Sequence, residues 1–335
     1  VTTTVGIPRA LAYYDYFPFW QGFFSNLGIQ VVTSPPTNKA IVNEGVRRAV
    51  DGTCFPVKIL YGHVHWLIET GIEIIFLPRL VSVAPREYIC PKFMGLPDMV
   101  LAAFPRKPRV LSPTINLNLH RRYLLQQMEK VGTELGCSRR ETRQAFAQGL
   151  EAQRGHEGDL QTGSWPHPDE WRSTGEVAVG GGLKESPSDI AREAPLSVGL
   201  LGHSYLIYDD YANMRMATRL RDMGMEVMTV DMLSPERIEA QAAAWPKRMF
   251  WTSGRRILGA AREYMELPVA GIVYVTAFAC GTDSLTAELV ERTVRRESII
   301  PQLILNLDEH TGEAGILTRL EAFVDMLRWR ANRWT

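Results

Sequence analysis

The chain's cysteines are the side chains best suited to chemistry. Cys280 lies in the stretch Gly271-Ile-Val-Tyr-Val-Thr-Ala-Phe-Ala-Cys280-Gly281-Thr282-Asp283-Ser284. Residues 271–278 form a short apolar run rich in β-branched and aromatic types, which reads as a buried strand. Asp283 and Ser284 are good N-cap residues, and Leu285–Arg296 then reads as a helix. Cys280 is therefore expected where the carboxyl end of a strand meets the amino end of a helix. Open α/β sheets bind ligands at that place, and the helix dipole there favours a thiolate over a thiol. Such a cysteine suits metal ligation or nucleophilic attack, the alternative being a small buried apolar side chain. Cys54, in Asp51-Gly-Thr-Cys54-Phe-Pro56, stands just before a second helix, expected from Pro56 to about Thr70 with proline in its first turn. Cys90, in Tyr88-Ile-Cys90-Pro91, falls in a long loop expected over Pro78–Pro97, and long loops past strand ends commonly carry function. Cys137 follows Gly136 and reads as structural or incidental.

Cys90 lies 36 residues after Cys54 (90 − 54), and Cys280 a further 190 on (280 − 90). No CxxC pair occurs, so a local zinc ribbon or ferredoxin-type run is excluded. Three thiolates converging from separate parts of the chain would suit an iron–sulfur cluster with one iron left open. An open iron can bind substrate as a Lewis acid or pass an electron. Two histidine-bearing loops follow expected strands. His203, Ser204 and Tyr205 could supply donors to a substrate oxygen or to cluster sulfides. Asp308, Glu309 and His310 could supply acid–base groups or bonds behind the cluster, or simply cap the next helix. Arg9 and Lys58 could neutralise cluster or substrate charge, or make ordinary ion pairs. His63 reads as a satisfied core or surface imidazole as readily as a site residue. Neither Ser204 nor Ser284 has the Gly-x-Ser-x-Gly setting of a hydrolase nucleophile.

The elements that must position these groups alternate strand and helix. The N-terminal part, 1–150, offers strands at Val5–Arg9, Ile29–Thr33, Ile72–Leu77 and Val110–Ile115. Its helices are expected from Pro18 to Leu27, from a Thr37 cap to about Val50, from Pro56 to Thr70, over Arg121–Leu135 and over Ser138–Leu150. From Glu151 to about Pro195 the composition turns to Gly, Ser, Pro, Glu and Asp, so 151–195 reads as a linker or inserted segment that Trp165 and Trp171 could pin to a domain. A second series fills 196–335, with strands at Leu196–Leu201, Met225–Val230, 271–278 and Gln302–Leu307. A helix capped by Asp209, Asp210 or Asn213 reaches Met223, another covers part of Trp245–Met265, and an amphipathic helix ends the chain. The expected fold is α/β: two Rossmann- or flavodoxin-like lobes with parallel sheets facing across a cleft.

The 335 residues are 45% hydrophobic and 22% charged with zero formal net charge, the balance of an ordinary soluble globular protein rather than a nucleic-acid binder. No apolar run reaches the ~18–20 residues needed to span a bilayer. The opening Val1-Thr-Thr-Thr-Val-Gly lacks a basic or apolar leader, so a cytoplasmic location is expected. Four cysteines in a chain of this length do not make a disulfide scaffold.

Several blocks together resemble the 2-hydroxyacyl-CoA dehydratase and acyl-CoA dehydratase activase-related superfamily, which includes the double-cubane-cluster proteins. These are Gly6-Ile-Pro8-Arg9-Ala-Leu, Cys54-Phe-Pro56-x-Lys58, Gly62-His63, Cys90-Pro91, Gly202-His-Ser-Tyr205 with Tyr208-Asp209, Phe278-x-Cys280-Gly-Thr-Asp283-Ser284, and Asp308-Glu-His310-Thr-Gly-Glu313-Ala-Gly315 followed by Thr318-Arg319-x-Glu321-Ala. They span nearly the whole chain outside 151–195, the last two being the most specific. The resemblance implies that Cys54, Cys90 and Cys280 ligate a 4Fe-4S or double-cubane cluster of low potential, while Cys137 matches no motif. It implies that a separate ATP-hydrolysing iron–sulfur activase delivers the electron, which in the dehydratases forms a ketyl radical of a 2-hydroxyacyl-CoA. Three ligands most simply hold one cubane, and a homodimer or heterodimer could bring two clusters together. Nothing in the sequence specifies a CoA site. The expectation is thus an iron–sulfur reductase or dehydratase component acting on a small molecule or acyl-CoA. The alternatives are a non-catalytic electron-transfer or scaffold protein of the same fold, and a metal-free small-molecule binder.

Overall fold

A computed structural model of the chain describes residues 3–106, 108–165 and 195–334, and every structural statement concerns these residues. Most of the expected linker, with Trp171, lies outside them. The described chain divides into two compact units, one of residues 3–106 and 108–158 with Met249–Arg255 and one of residues 159–165, 195–248 and 256–334.

The first unit contains, in chain order, β1 (Thr4–Ile7), α1 (Tyr13–Asn26), β2 (Gln30–Thr33), α2 (Lys39–Arg48), α3 (Phe55–Glu69), β3 (Ile74–Phe76), β4 (Arg79–Ser82), α4 (Pro91–Ala103), β5 (Arg109–Leu111), β6 (Thr114–Asn116), α5 (Arg121–Glu134) and most of α6 (Arg139–Gln161). Its main sheet runs β2-β1-β3-β5 with every pair parallel, and β4 pairs with β6 in a small parallel ribbon. The second unit contains β7 (Ser197–Leu201), α7 (Ser204–Ile207), α8 (Met216–Asp222), β8 (Glu226–Thr229), α9 (Pro235–Ala243), all but the first turn of α10 (Thr252–Glu266), β9 (Val269–Ala277), α11 (Gly281–Glu297), β10 (Gln302–Leu307) and α12 (Glu313–Trp334). Its sheet is β10-β9-β7-β8, again all parallel. Read from the second strand, both main sheets follow the order second, first, third, fourth, the flavodoxin-like doubly wound plan. The α/β class and the parallel sheets are those expected from the sequence. In this plan the ligand crevice opens at the carboxyl ends of the first and third strands, where the winding changes direction. These are β1 and β3 in one unit and β7 and β9 in the other.

Several elements differ from the sequence expectation. α1 begins at Tyr13, five residues before Pro18 (18 − 13), and carries that proline inside it. An interior proline costs about 3 kcal/mol. Burying Tyr13, Tyr14 and Phe17 returns about 1.5–3 kcal/mol each, so packing prevails. The cap of α2 is Asn38, whose Oδ1 accepts from Ala40 N–H at 3.0 Å and Ile41 N–H at 3.1 Å, and Thr37 turns instead to His63. The long loop expected over Pro78–Pro97 holds β4 and the first half of α4, because Pro91 sets the first turn of a helix. The strand expected over Val110–Ile115 is two strands in different sheets, broken at Ser112-Pro113. α6 runs on to Gln161, well into the segment read as linker. Trp165 lies beyond it, its ring edge-on to Tyr208 at 5.2 Å and covered by Arg221 at 4.2 Å.

Candidate metal centre

In the second unit the carboxyl ends of β7 and β9 sit side by side, Leu201 paired with Tyr274. After β7 the chain turns at Gly202, where a Cβ would stand 2.9 Å from the Val275 carbonyl oxygen of the neighbouring strand. Only glycine lets β7 approach that closely, and the approach delivers His203 to the strand-end crevice. After β9 the chain passes Ala279, a non-glycine residue in the left-handed region (φ 60°). It then enters α11 with Cys280, not Asp283 or Ser284, as the N-cap. Asp283 is left in the first turn of the helix, and its carboxylate does other work. Its Oδ1 accepts from His203 Nε2 at 2.7 Å and its Oδ2 from Ala277 N–H at 3.3 Å.

His203, Cys280 and Asp283 are all buried, and their imidazole, thiol and carboxylate atoms lie within 4.8 Å of one another. Tyr205 stacks on the imidazole at 4.9 Å, and Thr282 Oγ1 stands 3.2 Å from Cys280 Sγ. Burial disfavours a charged imidazole, but the Asp283 carboxylate, aided by the Cys280 thiol, outweighs it and pushes the His203 pKa up to about 10. A 2.7 Å separation is a hydrogen bond. Two ligands of one tetrahedral ion with bonds near 2.0–2.1 Å would stand about 3.3 Å apart. The trio is therefore a carboxylate–imidazole–thiol chain rather than an empty cage for a single ion. Tyr274 is fully buried on β9, and its hydroxyl has no hydrogen-bond partner among the described residues. Burial raises its pKa, and the nearby Asp283 and Cys280 charges raise it further.

In the first unit Cys54 and Cys90 occupy the same local position as Cys280. Cys54 is the N-cap of α3 and Cys90 the N-cap of α4, each followed within two residues by a proline. The backbones match closely, at φ −64° and ψ 148° for Cys54 and φ −61° and ψ 149° for Cys90. None of the three thiols makes a capping hydrogen bond to its helix, whereas Ser, Thr, Asp or Asn at that position normally does. Cys54 and Cys280 are buried, Cys90 is half-buried, and no disulfide joins any of the four cysteines.

Close helix packing places Cys54. A Cβ on Gly62 of α3 would stand 1.9 Å from the Ile41 carbonyl oxygen of α2, and one on Gly45 equally near the Lys58 carbonyl oxygen. From the other side, His63 locks α3 to the loop after β2. Its Nδ1 lies 2.8 Å from Ser34 Oγ and its Nε2 3.0 Å from Thr37 Oγ1, while Arg9 N–H donates to Ser34 Oγ at 2.9 Å. Burial, with the charge of Arg9, lowers the His63 pKa to about 3. The Cys90 loop is braced differently. Glu87 and Arg255 form a buried ion pair at 3.1 Å, Tyr88 stacks on Phe250 at 4.9 Å, and Tyr88 N–H donates to the Phe250 carbonyl at 3.1 Å.

Of the residues expected at a site, His203 and Cys280 come together. Ser204 is buried at the start of α7. His310 has 84% of its side chain exposed, with Nε2 4.0 Å from Glu309 Oε1, in the loop that Asp308 organises by accepting from His310 N–H at 2.9 Å. Cys137 is set by backbone alone: Gly136 takes φ 82°, and Cys137 N–H donates to the Gly132 carbonyl at 2.8 Å to end α5. Sequence reasoning missed the link from Asp283 to His203, 80 residues apart, and the stranded Tyr274 hydroxyl, because no local spacing encodes either.

A thiolate donor set fits an iron–sulfur group. The three sulfurs stand at helix amino ends, whose dipoles favour negative charge. The Tyr274 donor near Cys280 would meet an anionic acceptor. Among the described residues no helix is long and apolar enough to cross a membrane. Residues 4–233 match a family described as the CoA enzyme activase uncharacterised domain, a span holding Cys54, Cys90 and His203. No curated protein matches the chain.

Proposed function

We propose an iron–sulfur redox function, on the premise that this chain belongs to the CoA enzyme activase uncharacterised-domain family. Cys54, Cys90 and Cys280 hold a 4Fe-4S cluster of low potential, which would supply one-electron chemistry and an open Lewis-acidic iron. An ATP-hydrolysing iron–sulfur activase delivers the electron in trans, and the acceptor is a small molecule or acyl-CoA. The observation that carries this reading is the threefold repetition of one helix position, the N-cap in extended backbone. Each of these cysteines caps a helix positionally while its thiol bonds to none of that helix's orphan N–H groups. A serine or aspartate there would stabilise the helix by about 1 kcal/mol more, so cysteine at all three is a cost that ligation explains. Glu309 and the exposed His310 stand in the loop after β10, which begins beside the end of β9, and would exchange protons with substrate or solvent.

Anaerobic purification with iron and sulfide analysis tests the reading. The wild type should be brown and hold about four irons and four sulfides per chain, and alanine at Cys54, Cys90 or Cys280 should reduce both sharply, while Cys137→Ala should not. A colourless protein after reconstitution, or equal iron in all four variants, overturns it.

A further inference from the structure

We infer that His203, oriented by Asp283, donates a hydrogen bond to the sulfur of Cys280 and thereby raises the reduction potential of the group that Cys280 ligates. The inference rests on the proposed cluster and adds a positioning pair to it. The imidazole is already held in place. The imidazole's polarity is set by the 2.7 Å bond from Nε2 to the Asp283 carboxylate, its plane by the stack on Tyr205, and its position by the Gly202 turn. The carboxylate is itself held by the Ala277 N–H. One ring nitrogen is committed to Asp283, and the Cys280 sulfur, which Thr282 Oγ1 also approaches at 3.2 Å, lies within 4.8 Å of the imidazole. The imidazole is only 6% exposed, which favours a protein acceptor for its second nitrogen.

Hydrogen bonds to ligand sulfur withdraw charge and stabilise the reduced, more negative state of an iron–sulfur group. Asp283 strengthens the donor in the way that second-sphere carboxylates orient metal-site histidines. The pair would thus make the last electron easier to accept than three bare thiolates in a buried site allow.

The wild-type protein, labelled with 15N-histidine and reduced anaerobically, is examined by pulsed electron paramagnetic resonance alongside a redox titration followed by absorbance. Asp283→Asn and His203→Gln are titrated beside it, with iron and sulfide counted in each. The expected result is a histidine nitrogen coupled to the reduced group in the wild type. It should be lost in His203→Gln, whose midpoint potential should be lower at unchanged iron content. Asp283→Asn keeps the acceptor oxygen but loses the charge, and should shift the potential the same way by less. Absence of any histidine coupling in the wild type, or equal potentials in all three at full iron content, overturns the inference while leaving the cluster intact. Absence of iron in the wild type overturns both. Because the coupling is read in the unmutated protein, a variant that fails to fold does not protect the idea.

Discussion

His63 should make the first unit sensitive to acid by an amount that its setting determines. Its ring is fully buried, both nitrogens are engaged by Ser34 and Thr37, and the Arg9 charge lies nearby. Burial and Arg9 bring its pKa down from 6.5 to about 3. The sign follows from linkage. Between these values the unfolded chain binds a proton at His63 and the folded chain does not, so folding is opposed as pH falls through that window. Above pH 6.5 neither state is protonated and the effect vanishes. Below it, each pH unit costs about 1.4 kcal/mol, so the loss is about 2 kcal/mol at pH 5 and approaches about 5 kcal/mol at pH 3. Against a total stability of about 5–15 kcal/mol that is a large fraction. His63→Gln removes the titration while keeping a neutral amide in the same space. Urea unfolding of wild type and variant at pH 7 and pH 5 separates the terms. Any packing loss in the variant is the same at both values, and every other titrating group is shared. The wild type should lose about 2 kcal/mol more than the variant between pH 7 and pH 5. Equal losses would show that His63 is protonated in the folded protein and that its burial between Ser34 and Thr37 has been misjudged.

Two further outcomes concern how the cysteines are placed. Gly62→Ala would drive a methyl group to within 1.9 Å of the Ile41 carbonyl, forcing α2 and α3 apart at a cost of about 3 kcal/mol or more. The same variant should lose iron through the shifted Cys54, and a stability within 0.5 kcal/mol of wild type would refute the packing account. Arg255→Met removes the guanidinium that faces the buried Glu87 carboxylate at 3.1 Å and should cost about 3–5 kcal/mol in urea unfolding. Arg255→Met with Glu87→Leu should recover much of that loss, and a double variant no better than the single one would mean the pair contributes nothing as a pair.

The long periodic elements could be read directly from the residues, because strands such as Gln302–Leu307 and helices stopped by glycine at Gly28 and Gly71 carry their signals locally. The failures share a cause: in each, a nonlocal partner overrode a local preference. Pro18 stays inside α1 because the aromatic face before it is buried. Ser112-Pro113 splits one apolar run between two sheets, and the run's composition gives no sign of which neighbour each half will find. At the site, cysteine beside proline at two helix starts was visible in the sequence. Asp283 was not, since a carboxylate in the first turn of a helix is a good cap by every local rule. Its true partner, His203, lies on the neighbouring strand's loop and is brought there by sheet order alone.

The three cysteines share the N-cap position of a helix but not a common means of support, and this distinguishes what each can tolerate. Cys280 follows directly from a central strand of its sheet, at the winding change, so the sheet itself fixes it, with Ala279 held at φ 60° as the chain turns. Cys54 follows a helix rather than a strand. Its place depends on the α2–α3 glycine crossing and on the His63 lock. Cys90 follows an excursion from the small β4–β6 ribbon and depends on the brace that residues 249–255 supply through Arg255 and Phe250. A central strand buried on both faces is among the last parts of an α/β protein to open, whereas a loop held by an ion pair, a ring stack and backbone hydrogen bonds to Phe250 and Thr252 opens at lower free energy. Half-buried Cys90 should therefore be the first of the three to react with an alkylating reagent in iron-free protein, and Cys280 the last. The reverse order would mean that the brace is stiffer than the sheet, and the division of labour argued from these supports would fail.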